Sequence, residues 1–321
     1  MARRPQAPGF VFVVAAVLFA VAAVAQVSGP VAPGASPPKP SGDAAIQVGV
    51  EMVLVNATVT DPHDHPVTNL AKEHFRIFEN DVEQEILTFS HEDAPVSIGL
   101  LFDMSNSMKN KVDKVRNAAL QVLQTANPQD EFFLVTFGSR AKLTSDFTPD
   151  LSELRERMMS EKPKGQTALL DAIVIGMEQM KHARNRNRAF VVISDGGDNH
   201  SRAHESQIQR DLREADTQLY AMGIFDPEDM KRTREEREGP TLLSEFAELT
   251  GGQVFSVGNL DDLPEVASKI GRNLRDRYVL GYKPSGLRDG AWRSIKVELA
   301  APGALPPLRV YARTGYYAPE D

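Results

Sequence analysis

Residues 97–107, Ser-Ile-Gly-Leu-Leu-Phe-Asp-Met-Ser-Asn-Ser, decide both the fold and the site that we predict for this chain. The run from Ser97 to Phe102 is almost wholly apolar, as expected of a strand that is covered on both faces of a sheet. Asp103 follows directly, and Ser105 and Ser107 come after it at a spacing of two in a tight loop. A carboxylate and two hydroxyls at the end of a buried strand offer hard oxygen ligands to a cation.

Two more segments carry side chains of the same chemistry. Thr167 lies in a glycine-containing loop, Gly-Gln-Thr-Ala, before a predicted helix, and Asp195 follows the apolar run 189–193. Ligands of open parallel sheets bind beyond the carboxyl ends of the strands, so both carboxylates are expected on one rim. Two carboxylates and three hydroxyls suit Mg²⁺, Mn²⁺ or Ca²⁺ better than zinc or copper. The predicted metal ligands are Asp103, Ser105, Ser107, Thr167 and Asp195.

Strand and helix patterns alternate from Pro95 to Asp276, which predicts an α/β fold with a doubly wound, mainly parallel sheet between two layers of helices. The predicted strands are 97–102, 131–137, 189–193, 218–224 and 253–257. The predicted helices are 111–126, 151–159, 168–182, 207–215, 243–249 and 263–274.

The segments on either side of this region show the two-residue period of β-strands. In the first, residues 75–78 and 86–89 are predicted to form a hairpin around Asn80-Asp81. Each segment has too few strands to be stable alone, so we expect them to pair into one small β-sandwich-like domain, with the α/β domain inserted between them. The predicted boundaries are 46–94 and 277–318 for the β domain and 95–276 for the α/β domain.

The N-terminus has the features of a secretory signal. Arg3 and Arg4 precede an uncharged apolar run from Phe10 to Val24, and Ala23-Val24-Ala25 provides a small-x-small cleavage pattern. We therefore predict a signal peptide at 1–25, a flexible linker rich in Pro, Gly and Ala at 26–45, and a periplasmic or extracellular location. The alternative is an uncleaved N-terminal membrane anchor, for which the apolar run is short.

Composition narrows the classes of function. The chain has 36 basic and 44 acidic residues, a formal net charge of −8, so its electrostatics give no support for a nucleic-acid partner. It contains no cysteine, which excludes a lipoprotein anchor and structural disulfides. Stability then depends on apolar burial, with or without a bound metal.

The three site segments together resemble the metal-ion-dependent adhesion site of von Willebrand factor A domains, over roughly residues 95–276. The resemblance implies that Ser105 and Ser107 bind Mg²⁺ directly and that Thr167 binds it directly or through water. It implies that Asp103 and Asp195 act mostly through water. One coordination position is left for an Asp or Glu carboxylate of a protein partner.

The flanking segments resemble exported acidobacterial proteins of this family. The stretches that carry this resemblance are Val-Thr-Asp-Pro at 59–62, Glu-His-Phe-Arg-Ile-Phe-Glu-Asn at 73–80 and Arg-Thr-Gly-Tyr-Tyr-Ala at 313–318. This second resemblance bears on architecture and compartment, and it says little about function.

The predicted function is therefore an exported binding or adhesion module that is not an enzyme. One alternative is a scaffold whose metal site is vestigial. Another is a phosphatase-like hydrolase that uses Asp103 as its nucleophile, but Ser105 stands where such enzymes have a second aspartate, so the general acid is missing. The charged stretch 226–240 follows a strand that ends at the predicted rim, and it either helps to select the partner or is an insertion without a role.

Two histidine clusters offer weaker candidate metal sites. His63 and His65 lie near Asp61 and Asp64, and this segment is interpreted as a solvated turn. His200 and His204 are four residues apart, but no glutamate completes a zinc-protease motif, so a surface loop is the preferred interpretation.

Overall fold

A computed structural model of the chain describes residues 52–91, 93–124, 126–195, 197–225, 234–286, 288–300 and 307–320, without the side chains of 235 and 236. The predicted signal peptide at 1–25 and linker at 26–45 lie outside these residues. Within the described ranges, none of the helices has the length and apolar character that a membrane span requires.

A six-stranded sheet forms the centre of the α/β region, in the order β10-β9-β8-β5-β6-β7. All neighbouring pairs are parallel except β6 and β7, which are antiparallel. The chain runs from β5 outward to β6 on one side and returns to β8 on the other, so the winding direction reverses between β5 and β8. Its strands are β5 (Val96–Asp103), β6 (Glu131–Phe137), β7 (Ala141–Thr148), β8 (Asn187–Ser194), β9 (Gln218–Ile224) and β10 (Val254–Val257).

In the described ranges, six α-helices cover the two faces of this sheet. One buried cluster joins α1, α2 and α6 to one face, and a second joins α3, α4 and α5 to the other. Each helix packs on the sheet through an apolar face. In α1 this face contains Val115, Ala119 and Val122, which recur at helical spacing and are buried against the sheet. The helices are α1 (Val112–Leu123), α2 (Leu151–Ser160), α3 (Leu169–Met180), α4 (Glu205–Glu214), α5 (Arg234–Thr250) and α6 (Leu263–Asn273). The predicted doubly wound α/β fold is confirmed.

Strands from both flanking segments mix in two further antiparallel sheets. Their orders are β13-β1-β11-β4 and β14-β12-β2-β3, and one apolar cluster containing Val55, Ile77 and Tyr282 joins them. N-terminal strands therefore pair with C-terminal ones in each sheet, which is the arrangement expected when the α/β region is inserted. These strands are β1 (Val53–Thr60), β2 (Phe75–Glu79), β3 (Val82–Gln84), β4 (Thr88–His91), β11 (Tyr278–Tyr282), β12 (Trp292–Leu299), β13 (Arg309–Ala312) and β14 (Gly315–Tyr317).

The predicted hairpin between residues 75–78 and 86–89 is wrong in its second strand. Asn80 and Asp81 do form the turn, with φ of 48° and 64°. A two-residue turn places the next residues directly opposite β2, so Glu79 pairs with Val82 and the partner strand is β3. Residues 88–91 instead form β4, which pairs with β11 in the other sheet.

The prediction of a charged loop at 226–240 is also partly wrong. Residues 234–240 form the first part of α5, which the sequence pattern placed only at 243–249. Arg234 donates to Glu238 at 2.8 Å in an i,i+4 pair, an interaction that stabilises an exposed helix without an apolar stripe. Residues 226–233 lie outside the described residues.

Candidate metal centre

The two predicted carboxylates lie at the end of neighbouring strands. Asp103 is the last residue of β5, and Asp195 follows the last residue of β8. The strands are in parallel register, with Phe102 opposite Ile193. Both carboxylates therefore lie on the same rim of the sheet, at the point where its winding direction reverses, which is where open α/β sheets bind ligands.

A network of short hydrogen bonds fixes the loop after β5. Asp103 Oδ1 accepts a 2.8 Å hydrogen bond from the Ser105 amide, and Ser194 Oγ donates a 2.6 Å bond to Asp103 Oδ2. The hydroxyls of Ser105 and Ser107 are 2.8 Å apart. Asp103 is fully buried and Ser105 is 1% exposed. These contacts bring one carboxylate and two hydroxyls together before any ligand binds.

Backbone hydrogen bonds hold the Thr167 loop against this first loop. The Asn106 amide donates to the Gly165 carbonyl at 3.0 Å, and the Lys164 amide donates to the Met104 carbonyl at 2.7 Å. Gly165 has φ of +80°, a conformation that favours glycine, and a Cβ there would meet Ser139 Oγ. Thr167 is thereby placed beside the loop that carries the two serines.

The loop after Asp195 holds Thr167 from the other side. Asn199 Oδ1 accepts from the Thr167 amide at 2.9 Å, and the amides of Asn199 and His200 each donate to the Thr167 carbonyl at 3.0 Å. Asp198 Oδ1 accepts from the Leu169 amide at 2.8 Å, at the start of α3. All three predicted segments are therefore connected by hydrogen bonds at one rim.

Electrostatics at this rim favour a bound cation. Burial, and then the charge of Asp195, raise the pKa of Asp103 to about 7, although hydrogen bonds from Ser194 and Ser105 act in the opposite direction. Asp195 Oδ1 is buried and has no hydrogen-bond partner among the described residues. A buried carboxylate oxygen without a partner is costly, and a cation beside it removes that cost. The chemistry of the donor set therefore fits a hard divalent cation.

Lys111 is a site residue that the sequence analysis missed. It precedes α1, and its Nζ lies 3.8 Å from Asp195 Oδ2. The lysine side chain is 21% exposed, so its charge acts partly through solvent. Ser194 and Asn199 were missed as well; Ser194 had a local signal, because it directly precedes Asp195 at the end of a buried strand.

The histidine clusters show no comparable arrangement. Asp61 Oδ1 accepts from the amides of His63 and His65 at 2.8 and 2.9 Å, the pattern of a side-chain-stabilised turn. His204 directly precedes α4, whose first residue is Glu205. In the described part of the chain, no group of three or more His, Asp or Glu side chains is placed to hold a metal, so the rim site depends on hydroxyl ligands.

Residues 98–197 match the family model of the von Willebrand factor type A domain, and they include all five predicted metal ligands. The chain contains a von Willebrand factor A domain. This match begins in β5 and ends just after Asp195, so the matched region contains both strand ends that carry the predicted carboxylates.

Curated relatives match part of this chain. The chain is 29% identical over 147 residues to inter-alpha-trypsin inhibitor heavy chain H1 of Sus scrofa, an alignment that spans 40% of this chain and 16% of that protein. It is 24% identical over 134 residues to inter-alpha-trypsin inhibitor heavy chain H3 of Homo sapiens, with 38% and 15% covered. The matched stretch therefore spans about a sixth of the length of these relatives.

Solved structures with a similar chain path include the PilB minor pilin from Streptococcus sanguinis. It superposes with a TM-score of 0.47 at 14% identity, over 57% of this chain and 62% of that one. The von Willebrand factor A domain of SpRpn10 superposes with a TM-score of 0.40 at 17% identity, over 53% and 93%.

Proposed function

We propose that this protein is a binding module that captures an Asp or Glu carboxylate of a protein partner through a divalent cation, Mg²⁺ first and Mn²⁺ or Ca²⁺ as substitutes. Its von Willebrand factor A domain is of a kind that commonly mediates protein–protein interaction. The observation that carries the finer proposal is the buried Oδ1 of Asp195, which has no hydrogen-bond partner among the residues that the structure describes and lies on the same rim as Asp103.

Each site residue has a distinct role in this proposal. Ser105 and Ser107 would hold the cation with their hydroxyls, with Thr167 completing the set, while Asp103 and Asp195 would supply the compensating negative charge. A bound Mg²⁺ supplies a hard Lewis-acid position for a partner carboxylate oxygen. The chain itself keeps the hydroxyls oriented through the Asp103–Ser105 hydrogen bond and keeps the carboxylates away from solvent.

No catalytic role is part of this proposal. The rim carries two carboxylates, but the second position after Asp103 is a serine, which cannot act as the general acid of an aspartate-based phosphatase. A phosphatase assay with an Asp103→Asn control tests this directly: phosphate release by the wild type that is lost in the variant would contradict a pure binding role.

We further propose that the protein acts outside the cytoplasm, as its N-terminal sequence predicts. Fractionation of the source cells followed by mass determination of the recovered chain tests this. The proposal expects a periplasmic or extracellular protein that begins at Gln26, and a cytoplasmic chain that retains Met1 would contradict it.

The central experiment is capture of partners from an envelope extract on the immobilised full chain. A specific partner is expected to bind in Mg²⁺, to elute in chelator and to be absent from a Ser105→Ala/Ser107→Ala variant. A Ser145→Ala variant, which changes a buried serine on β7, is the matched control and is expected to retain the partner. Capture that is the same in chelator, or the same in the double variant, would contradict the proposed function.

A further inference from the structure

A cleft of about 430 Å³ adjoins the candidate metal centre on the side of the β6–β7 turn. Met104 and Phe137 contribute buried apolar surface to it, and they are 4% and 1% exposed. Gly138 and Gly165 form part of its wall, and Gly165 lies in the loop that contains Thr167. Because Met104 directly precedes Ser105, the cleft and the metal centre share one continuous rim.

The charge of this cleft is opposite to that of the whole protein. Four basic side chains line it against one acidic side chain, a net charge of +3, whereas the chain as a whole carries −8. The acidic residue is Glu161, and its carboxylate forms an ion pair with Lys142 Nζ at 2.5 Å. The charges of three basic side chains in the cleft are therefore not compensated by Glu161. The basic residues are Arg140, Lys142, Lys162 and Lys164.

The other three basic groups are available for a ligand. Arg140, Lys162 and Lys164 are all exposed, and within the portion of the chain that the structure describes none of them forms an ion pair. The backbone beneath them is fixed, because the Gln166 amide donates to Ser139 Oγ at 2.9 Å and Gly138 packs closely against the carbonyl of Lys164. The basic groups are thus carried by a rigid loop pair beside the metal centre.

From this arrangement we infer that the cleft binds acidic residues that flank the metal-bound carboxylate, so that the partner is an acidic peptide segment with several Asp or Glu side chains. This inference rests on the proposed function, since the metal centre anchors the segment. An extended segment advances about 3.3 Å per residue, so residues a few positions from the anchor reach the cleft. Charge complementarity then favours the correct segment and accelerates its association.

Defined peptides test this inference on the full chain. One labelled, end-capped peptide carries a single Asp in a Gly/Ser background, and a second of equal length carries the same Asp and three Glu residues. Fluorescence polarisation is measured in Mg²⁺ and in chelator. The four-acid peptide is expected to bind about tenfold more tightly than the one-acid peptide, with an advantage that falls as salt is added.

Charge reversal identifies the surface that produces this advantage. Lys162→Glu/Lys164→Glu is expected to abolish the tenfold advantage while the one-acid peptide still binds in Mg²⁺. Lys72→Glu/Lys283→Glu changes the net charge equally at exposed positions in the β-sandwich, and it is expected to retain the advantage. An advantage that survives in the first variant, or that disappears equally in the second, would overturn the inference.

The peptide pair also separates this inference from the proposed function. If the one-acid peptide binds only in Mg²⁺ and the four-acid peptide binds no better, the inference alone fails. If both peptides bind equally well in chelator, or neither binds, the proposed function fails and the inference with it. A sulfated oligosaccharide that binds more tightly than the four-acid peptide, with the same loss in Lys162→Glu/Lys164→Glu, would overturn the assignment of a peptide partner.

Discussion

Ser194 donates a 2.6 Å hydrogen bond to Asp103, and this contact joins the ends of the two strands that carry the carboxylates of the candidate metal centre. Both residues are fully buried. Asp103 thus has one oxygen held by Ser194 and the other by the Ser105 amide. The orientation of this carboxylate is therefore set by Ser194, which is not a predicted ligand, together with the backbone of Ser105, whose hydroxyl is one.

Replacing Ser194 by Ala is expected to weaken both the fold and the site. The change leaves a buried Asp103 oxygen without its donor, which is expected to cost about 2 kcal/mol in the free energy of unfolding. Loss of such a supporting contact is expected to reduce Mg²⁺ affinity about 10-fold. Denaturant unfolding and calorimetric titration check the two effects, and Ser145→Ala serves as the control in which affinity is unchanged. Unaltered affinity in a folded Ser194→Ala protein would show that the contact does not support the site.

Asn199 is expected to act on the site through Thr167. Its side chain accepts from the Thr167 amide at 2.9 Å. Asn199→Ala is predicted to lower Mg²⁺ affinity about 10-fold, because the Thr167 amide loses its side-chain acceptor. Asn199→Asp retains the acceptor oxygen and is expected to restore most of the affinity. Equal affinities for the Ala variant and the wild type would rule out this positioning role.

Lys111 is expected to compensate the charge of Asp195 when no metal is bound. Lys111→Met is predicted to destabilise the protein by about 0.5–1 kcal/mol in chelator and by less in Mg²⁺. Because the lysine opposes a cation electrostatically, the same change is predicted to strengthen Mg²⁺ binding about threefold. Thermal unfolding in the two conditions measures the first effect and calorimetry the second, with the exposed Lys109→Met as control. Equal destabilisation with and without Mg²⁺ would contradict this role.

Glu131, at the opposite end of the central sheet, is expected to control acid stability. Burial by itself raises its pKa, but hydrogen bonds from Ser97 and Arg184 outweigh burial and leave the pKa lowered. Its stabilising contribution is therefore complete above the unfolded-state value of 4.5 and is lost as the pH falls through the folded-state pKa.

The matching variant is Glu131→Gln. It is predicted to lose about 2 kcal/mol of unfolding free energy at pH 7, a deficit that narrows as the pH falls below 4.5, the unfolded-state value. Denaturant unfolding across this range measures the deficit. Mg²⁺ affinity is expected to be unchanged, since Glu131 begins β6 at the end remote from the rim. A deficit that is independent of pH would mean that the carboxylate charge is not the stabilising feature.

The sequence predicts the central sheet well because its strands are buried on both faces. Runs such as 97–102 and 189–193 have no polar interruption, and helices of clear amphipathic period separate them. Strand β7 escaped prediction because it lies at the sheet edge, where Lys142 and Asp146 are exposed and the apolar pattern is weak. The hairpin partner was predicted wrongly because the apolar residues Ile86 and Phe89 suggested a strand that pairs with β2. They contribute instead to the apolar cluster that joins the two four-stranded antiparallel sheets.

The candidate site was only partly predictable for a different reason. Asp103, Ser105 and Asp195 lie at the carboxyl ends of strands or within two residues of them, so their position follows from the rule for open parallel sheets. Lys111 contacts Asp195, which is 84 positions away in the sequence, and Asn199 contacts Thr167, which is 32 positions away. No local sequence pattern predicts contacts between residues so far apart. The basic cleft combines residues of the β6–β7 turn with residues of the Thr167 loop, and only the folded chain brings these together.

Calorimetric titration of the full chain with Mn²⁺ and Mg²⁺, in parallel with the Ser105→Ala/Ser107→Ala variant, tests the central claim most directly. We expect a single saturable divalent site in the wild type, accompanied by a rise in thermal stability, and no such site in the folded double variant. A folded wild-type protein that shows neither heat of binding nor a thermal shift with either cation would contradict the account.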